Sequence, residues 1–141
     1  MKLKLLGICL IGLLFLSGCG VKKVAISSVG NEMRYDRTKF TVKPGQKVVL
    51  ILKNMATSSV MKHNLVILDR NADIDSIGQQ SLLVKGYIPD DPMVLFYTDL
   101  SLPGQTVELT FTAPDIQGDY PYICTYPGHY QMMQGVMTVQ K

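Results

Sequence analysis

Residues 23–141 predict an all-β domain folded as a two-sheet sandwich or a barrel, with one short helical insertion. Three observations carry that expectation. The chain breaks into short segments rich in β-branched and aromatic residues, separated by turn signals. Thr106–Thr112 (TVELTFT) alternates strictly, with Val107, Leu109 and Phe111 on one face and Thr106, Glu108, Thr110 and Thr112 on the other. Val48–Leu52 (VVLIL) is a continuous apolar run of the kind found in strands buried within a sandwich.

In chain order, Lys23–Val29 (KVAISSV) opens the series, Gly30-Asn31 signals a turn, and Glu32–Tyr35 follows. Phe40–Val42 leads into Pro44-Gly45, a turn dipeptide, and then into VVLIL. Asn54–Ser59 is polar and loop-like, and His63–Leu68 (HNLVIL) is the next strand. Met93–Thr98 (MVLFYT), TVELTFT, Asp119–Cys124 (DYPYIC) and Gly135–Gln140 (GVMTVQ) complete the set. Pro103-Gly104 and Ala113-Pro114 bracket the alternating strand. Asp73–Gly86 (DIDSIGQQSLLVKG) departs from β patterning. Its Ile74, Ile77, Leu82 and Leu83, with Asp and Ser near the start, fit a short helix or helical flap.

The 141 residues are expected to hold one folded domain behind an export signal. Lys2 and Lys4 form a positive n-region and Leu5–Leu16 an apolar h-region, too short for a membrane span of ~20 residues. Leu16-Ser17-Gly18-Cys19 then resembles the bacterial lipoprotein signal. That resemblance implies a signal peptide over 1–18, lipid attachment at Cys19, a tether over 19–22 and the folded domain over 23–141. An ordinary signal peptide and a retained helical anchor are the other readings. Gly20, Val21 and Lys22 span roughly 10 Å when extended, so the tether predicts a domain held close to the bilayer. Removing Lys2 and Lys4 from the 14 basic residues leaves near balance against 11 acidic ones, and no basic run points to nucleic acid.

Of the three cysteines, Cys9 leaves with the signal and Cys19 carries the lipid, so Cys124 is the remaining thiol. In an oxidising compartment a lone thiol is at risk unless it is buried, catalytic or metal-bound. Cys124 opens the stretch CTYPGHYQMMQG, in which His129 and Met133 follow across the Pro127-Gly128 turn with the spacing Cys-x4-His-x3-Met. A loop this short between two strands brings a thiolate, an imidazole and a thioether to one end of the domain. His63, the other histidine of the chain, opens a separate strand that a sandwich fold brings to the same end. Two imidazoles and a thiolate in a plane, with a distant methionine sulfur on the axis, are the donor set of a blue-copper site. Taken singly, each residue has an ordinary reading: a surface or satisfied histidine, a small buried hydrophobe, core filler. Their combination points to copper bound by His63, Cys124, His129 and Met133, with Met132 as the alternative axial donor.

CTYPGHYQMMQG resembles the azurin-type cupredoxins, with auracyanin-type proteins close by, through Cys-Thr-aromatic-Pro-Gly-His and a methionine four residues after the histidine. Met61-Lys62-His63-Asn64 resembles the upstream Met-Gly-His-Asn. Weaker similarity covers most of 23–141, including Gly30-Asn31-Glu32-Met33 and Tyr87-Ile88-Pro89-Asp90-Asp91. The resemblance implies a Greek-key sandwich and a carrier of single electrons. It also implies roles residue by residue. The Lys62 carbonyl is the opposite axial contact, and Asn64 and Thr125 tie the two ligand segments together. The edge of His129, ringed by Met61, Tyr126, Pro127 and Met132, is the electron port and docking surface. Implied partners are redox proteins such as c-type cytochromes or membrane oxidoreductases, met in the cell envelope on the periplasmic or outer-surface side of a bacterial membrane. The chain departs from azurin in having Lys62 where azurin has glycine and in lacking the cysteines of azurin's disulfide.

Two other functions compete. A copper-delivery lipoprotein would carry an open Met/His-rich segment, and the sequence offers only Met132-Met133. A copper oxidase would need an open coordination position and a substrate pocket, and a Cys–His hydrolase would need a third group to orient its base. Neither pattern is present, so no enzyme is expected.

Overall fold

The computed structural model describes residues 20–141, so the expected signal at 1–18 and Cys19 lie outside the described residues. The strands are β1 (Lys22–Ser27), β2 (Lys39–Val42), β3 (Lys47–Lys53), β4 (Val66–Leu68), β5 (Val94–Tyr97), β6 (Thr106–Thr112), β7 (Gly118–Ile123) and β8 (Gln134–Val139). They form two sheets, with orders β1-β3-β6 and β2-β8-β7-β4-β5, which selects the Greek-key sandwich over the barrel. β1 pairs parallel with β3 and β2 parallel with β8, while the remaining ladders are antiparallel.

Period-two patterning builds the core. Val24 and Ile26 of β1, Val48, Leu50 and Leu52 of β3 and Phe111 of β6 are buried against Phe40, Val42, Ile67, Tyr120, Tyr122, Met137 and Val139 of the other sheet. The apolar run in β3 is buried only at alternate residues. Val49 and Ile51 are half-buried, because their side chains leave the opposite face of the sheet. In contrast, all three residues of β4 are buried. The outer face of its sheet carries a second cluster, in which Val66, Leu68 and Ile123 pack against Ile77 of the helix α1 (Ile74–Ser81). That helix is the expected insertion, in shortened form. Asp73 caps its start by accepting from the Asp75 and Ser76 amides. The rest of the expected helical stretch turns outward and ends in a single 3₁₀ turn at Lys85–Tyr87.

Two expected strands are altered. Glu32–Tyr35 is a turn, held by Val29 N–H to the Arg34 carbonyl at 3.0 Å and by the Ser27 amide donating to the Asp36 carboxylate at 2.7 Å. Its strand character is one isolated bridge between Ser28 and Tyr35. The strand expected from His63 begins regular pairing only at Val66. His63 itself forms an isolated two-way bridge with Ser101, donating at 3.1 Å and accepting at 2.7 Å. These features converge at one end of the sandwich. β3 ends there at Lys53, Ile123 at the end of β7 pairs with Gln134 at the start of β8, and Val66 pairs with Ile123.

Pro121 sits inside a central strand, which the missing amide hydrogen normally disfavours. The β4–β7 ladder stops at Ile67/Tyr122, one residue short of it. Across the sheet Tyr122 pairs with Gly135, and a Cβ at Gly135 would fall 2.1 Å from the Tyr122 ring. The close approach lets the Tyr122 hydroxyl reach the Arg37 carbonyl at 2.6 Å while its ring packs against Tyr35 and Phe40. Gly135→Ala should therefore destabilise the fold by about 1–3 kcal/mol through overpacking. Urea denaturation checks this, and a midpoint equal to that of the parent chain would contradict the packing account.

Candidate metal centre

Cys124 follows directly on β7, and its amide donates to the Met133 carbonyl at 3.0 Å, closing the loop that carries His129. Inside that loop the His129 amide donates to the Tyr126 carbonyl at 3.0 Å, turning the chain at Pro127-Gly128. Gly128 has φ 81°, a left-handed conformation that side chains rarely adopt. The Met132 and Met133 amides then donate to the His129 carbonyl at 3.1 and 2.8 Å, a helical turn that delivers the chain into β8. The local sequence thus dictates a compact loop pinned at both ends.

His63 meets this loop from the other strand segment. The Cys124 sulfur lies 3.9 Å from His63 Nδ1 and 3.6 Å from His129 Nδ1, and the three possible donor atoms all fall within 4.8 Å of one another. An ion bound in a plane by two nitrogens and a sulfur at typical bond lengths needs donors roughly 3.5–3.8 Å apart, so the set fits one metal ion. His63, Cys124 and Met133 are fully buried and His129 retains only 4% exposure. Met133 belongs to the same buried cluster as Cys124.

Burial sets the protonation states of the metal-free centre. It pulls the His63 pKa down to about 4, helped by repulsion from His129, and lowers that of His129 as well, leaving both imidazoles neutral. It pushes the Cys124 thiol up to about 12, against the opposing pull of the Asn64 and Tyr126 backbone N–H groups. Those two amides favour the thiolate, the form in which cysteine binds a metal.

Asn64 and Thr125 join the two ligand segments. The Asn64 amide donates to the Thr125 hydroxyl at 2.8 Å, and the Thr125 backbone amide donates to Asn64 Oδ1 at 2.8 Å, with both residues buried. Three further residues brace the same segments, and sequence reasoning had not singled them out. The Tyr35 hydroxyl donates to the Asn64 carbonyl at 2.6 Å, and burial first, then the nearness of Cys124, raise its pKa well above the ordinary tyrosine value. Asn54 donates to the carbonyls of Met61 and Ser101, on either side of the His63 bridge. The hydroxyl of Ser81, the last residue of α1, shares its one proton between the Gly78 carbonyl at 2.6 Å and the Thr125 carbonyl at 3.1 Å. Most of their partners are remote in sequence, so no local pattern could have marked them.

The residues expected around the centre lie at the same end of the domain. Met61 and Lys62 are half-buried beside His63, Tyr126 is half-buried, and Pro127 and Met132 are exposed. The Tyr126 ring meets His129 edge-on at 5.1 Å between centroids, and Tyr87 meets Tyr126 in the same way at 5.3 Å. Among the described residues, no helix is long and apolar enough to cross a membrane.

Comparison with known proteins agrees with this geometry. Residues 22–140 match the model of the copper binding proteins, plastocyanin/azurin family. Auracyanin-A of Chloroflexus aurantiacus is 38% identical over 128 residues, covering 87% of this chain and 77% of that protein. Azurin-1 of Alcaligenes xylosoxydans xylosoxydans is 31% identical over 123 residues, covering 80% of this chain and 95% of its own. The crystal structure of dithionite-reduced auracyanin from Roseiflexus castenholzii superposes with a TM-score of 0.78 at 34% identity, covering 85% of this chain and 98% of that one.

The protonation states give a direct test. With neutral imidazoles and a protonated thiol at pH 7, uptake of a divalent copper ion should release about one proton, from Cys124. The release should rise as the pH falls, first as His129 becomes protonated below its ordinary range and then toward the His63 value of about 4. Calorimetry in buffers of different ionisation enthalpy measures it, and zero release at neutral pH would show a thiolate already formed.

Proposed function

From the premise that the chain belongs to the plastocyanin/azurin family of copper-binding proteins, a family of blue-copper electron carriers, we propose a membrane-tethered shuttle of single electrons in a bacterial cell envelope. The observation that carries the reading is the meeting of His63, Cys124 and His129 within one buried cluster. Bound there, copper would supply a one-electron couple between its monovalent and divalent states.

In this reading the side chains divide the work. His63 and His129 would offer Nδ1, Cys124 the soft thiolate and Met133 a weaker thioether donor, with the Lys62 carbonyl a further oxygen donor. Asn64 and Thr125 hold the two ligand segments in register, so the donors need not move when the charge at the centre changes. Fixed donors of mixed softness serve both oxidation states, and rigidity of that kind favours fast electron transfer. The nearly closed edge of His129, with Met61, Tyr126, Pro127 and Met132 about it, is the port for electrons and the surface on which partners dock. Such encounters are small and transient. The partners are redox proteins such as c-type cytochromes or membrane oxidoreductases.

The N-terminal reading completes the proposal. Residues 1–18 are removed as a signal peptide, Cys19 carries the lipid, 19–22 form the tether and 23–141 the working domain. Stable anchoring needs more than one acyl chain, which lipoprotein modification provides.

Two measurements test these assignments. Cys124→Ser should abolish the intense visible absorption of the oxidised, copper-loaded protein; a persisting blue band would remove Cys124 from the centre. Cys19→Ala should shift the protein from the detergent phase to the aqueous phase in a two-phase partition of cell envelopes. Unchanged partition would sink the lipid anchor while leaving the copper assignment intact.

A further inference from the structure

Beside the buried centre lies an open cleft of about 440 Å³ lined by Asn31, Glu32, Met33, Arg34, Met61 and Met132. Three of these six residues are methionines, and they come from three segments distant in sequence. We propose that this cleft is a second, transient metal site, in which the thioethers of Met33, Met61 and Met132 hold one monovalent copper ion on its way to the buried donors.

The chemistry of the cleft supports a soft, singly charged ion. Thioether sulfur is neutral, polarisable and selective for Cu(I). The two charged residues of the lining are paired with each other, Arg34 Nε to Glu32 Oε2 at 2.9 Å, so their opposite charges offset and the lining has no net charge to draw a hard cation. An apolar docking patch alone would be served equally well by leucine; three methionines lining one cleft add a metal affinity that leucine lacks.

The cleft is also preorganised. Asn31 accepts from the Thr57 and Ser58 amides at 2.9 and 3.0 Å, and the Met61 amide donates to the Ser58 carbonyl at 3.0 Å. The turn carrying Met33 and the loop carrying Met61 are therefore fixed against each other. Each methionine is connected to the centre through the chain. Met61 stands two residues before His63, and the Met132 amide is bonded to the His129 carbonyl at 3.1 Å. Met33 stands two residues before Tyr35, whose hydroxyl holds the Asn64 carbonyl.

Access explains why a staging point is useful. Three of the four expected donors are fully buried and His129 is 4% exposed, so an ion must shed its water before it can reach them. Thioethers replace that water at the surface. In the handover no electron moves: sulfur–metal bonds at the methionines break, bonds to the imidazoles and the Cys124 sulfur form, and the thiol proton passes to solvent.

Ag(I), a soft monovalent probe that undergoes no redox change here, tests the site. It is titrated into the protein with its buried centre filled by copper and reduced, and the methionine methyl groups are followed by NMR. The methyls of Met33, Met61 and Met132 should shift together and saturate at about one equivalent. Met55 and Met93, also exposed, are internal controls and should not join them. The triple variant M33L/M61L/M132L keeps the apolar surface. It should bind Ag(I) at least about tenfold more weakly and load Cu(I) into the metal-free protein severalfold more slowly. A far-ultraviolet circular dichroism spectrum equal to that of the parent reports that the variant is folded. Shifts shared equally with Met55 and Met93, absence of saturable binding, or a leucine variant that binds Ag(I) undiminished would each overturn the proposal.

Discussion

The paired hydrogen bonds between Asn64 and Thr125 join segments 61 residues apart, each adjacent to a metal-binding candidate. Everything at this end of the sandwich depends on that register. It sets His63 opposite Cys124 and brings the Asn64 backbone amide to the sulfur. Each such bond contributes about 1 kcal/mol net, but a buried amide stripped of its partner costs about 1–3 kcal/mol. The arrangement is therefore protected less by what it gains than by the penalty of breaking it. Tyr35 and Ser81 extend the same logic outward, each satisfying a carbonyl of the pair, Asn64 or Thr125.

Burial acts on the three donors in opposite directions, with one common result. It lowers the histidines and raises the cysteine, so the metal-free centre carries no charge near neutral pH. An uncharged pocket is tolerable inside a β-sandwich core, where an unpaired ion would not be. The centre can thus be assembled before any metal arrives, as part of the core cluster that includes Cys124 and Met133. His63 Nε2, among the described residues, is the buried side-chain nitrogen without a hydrogen-bond partner.

The helical insertion is tied into this construction. A Cβ on Gly78 would lie 2.5 Å from the Tyr130 ring, so only glycine lets α1 approach the ligand loop so closely. Ile77 seals the outer face of the five-stranded sheet, and Ser81 reaches Thr125. The loop from Cys124 to Met133 is thereby braced from three sides: by the strands at its ends, by the His63 segment, and by the helix.

The sequence by itself determined the β architecture, because alternation in TVELTFT and the turn dipeptides are local signals with local causes. It marked Cys124, His129 and Met133 as candidate donors for the same reason, since Cys-x4-His-x3-Met around Pro-Gly is a short-range pattern. It misjudged Glu32–Tyr35 and the start of β4, where tertiary hydrogen bonds override strand propensity. Only the tertiary structure decided the parallel pairing of β1 with β3 and of β2 with β8. It alone also decided the meeting of His63 with the C-terminal loop, the bracing by Tyr35, Asn54 and Ser81, and the shared cleft of Met33, Met61 and Met132. Those features join residues far apart in the chain, and their proximity depends on how two sheets stack and close, a property that no stretch of neighbouring residues encodes.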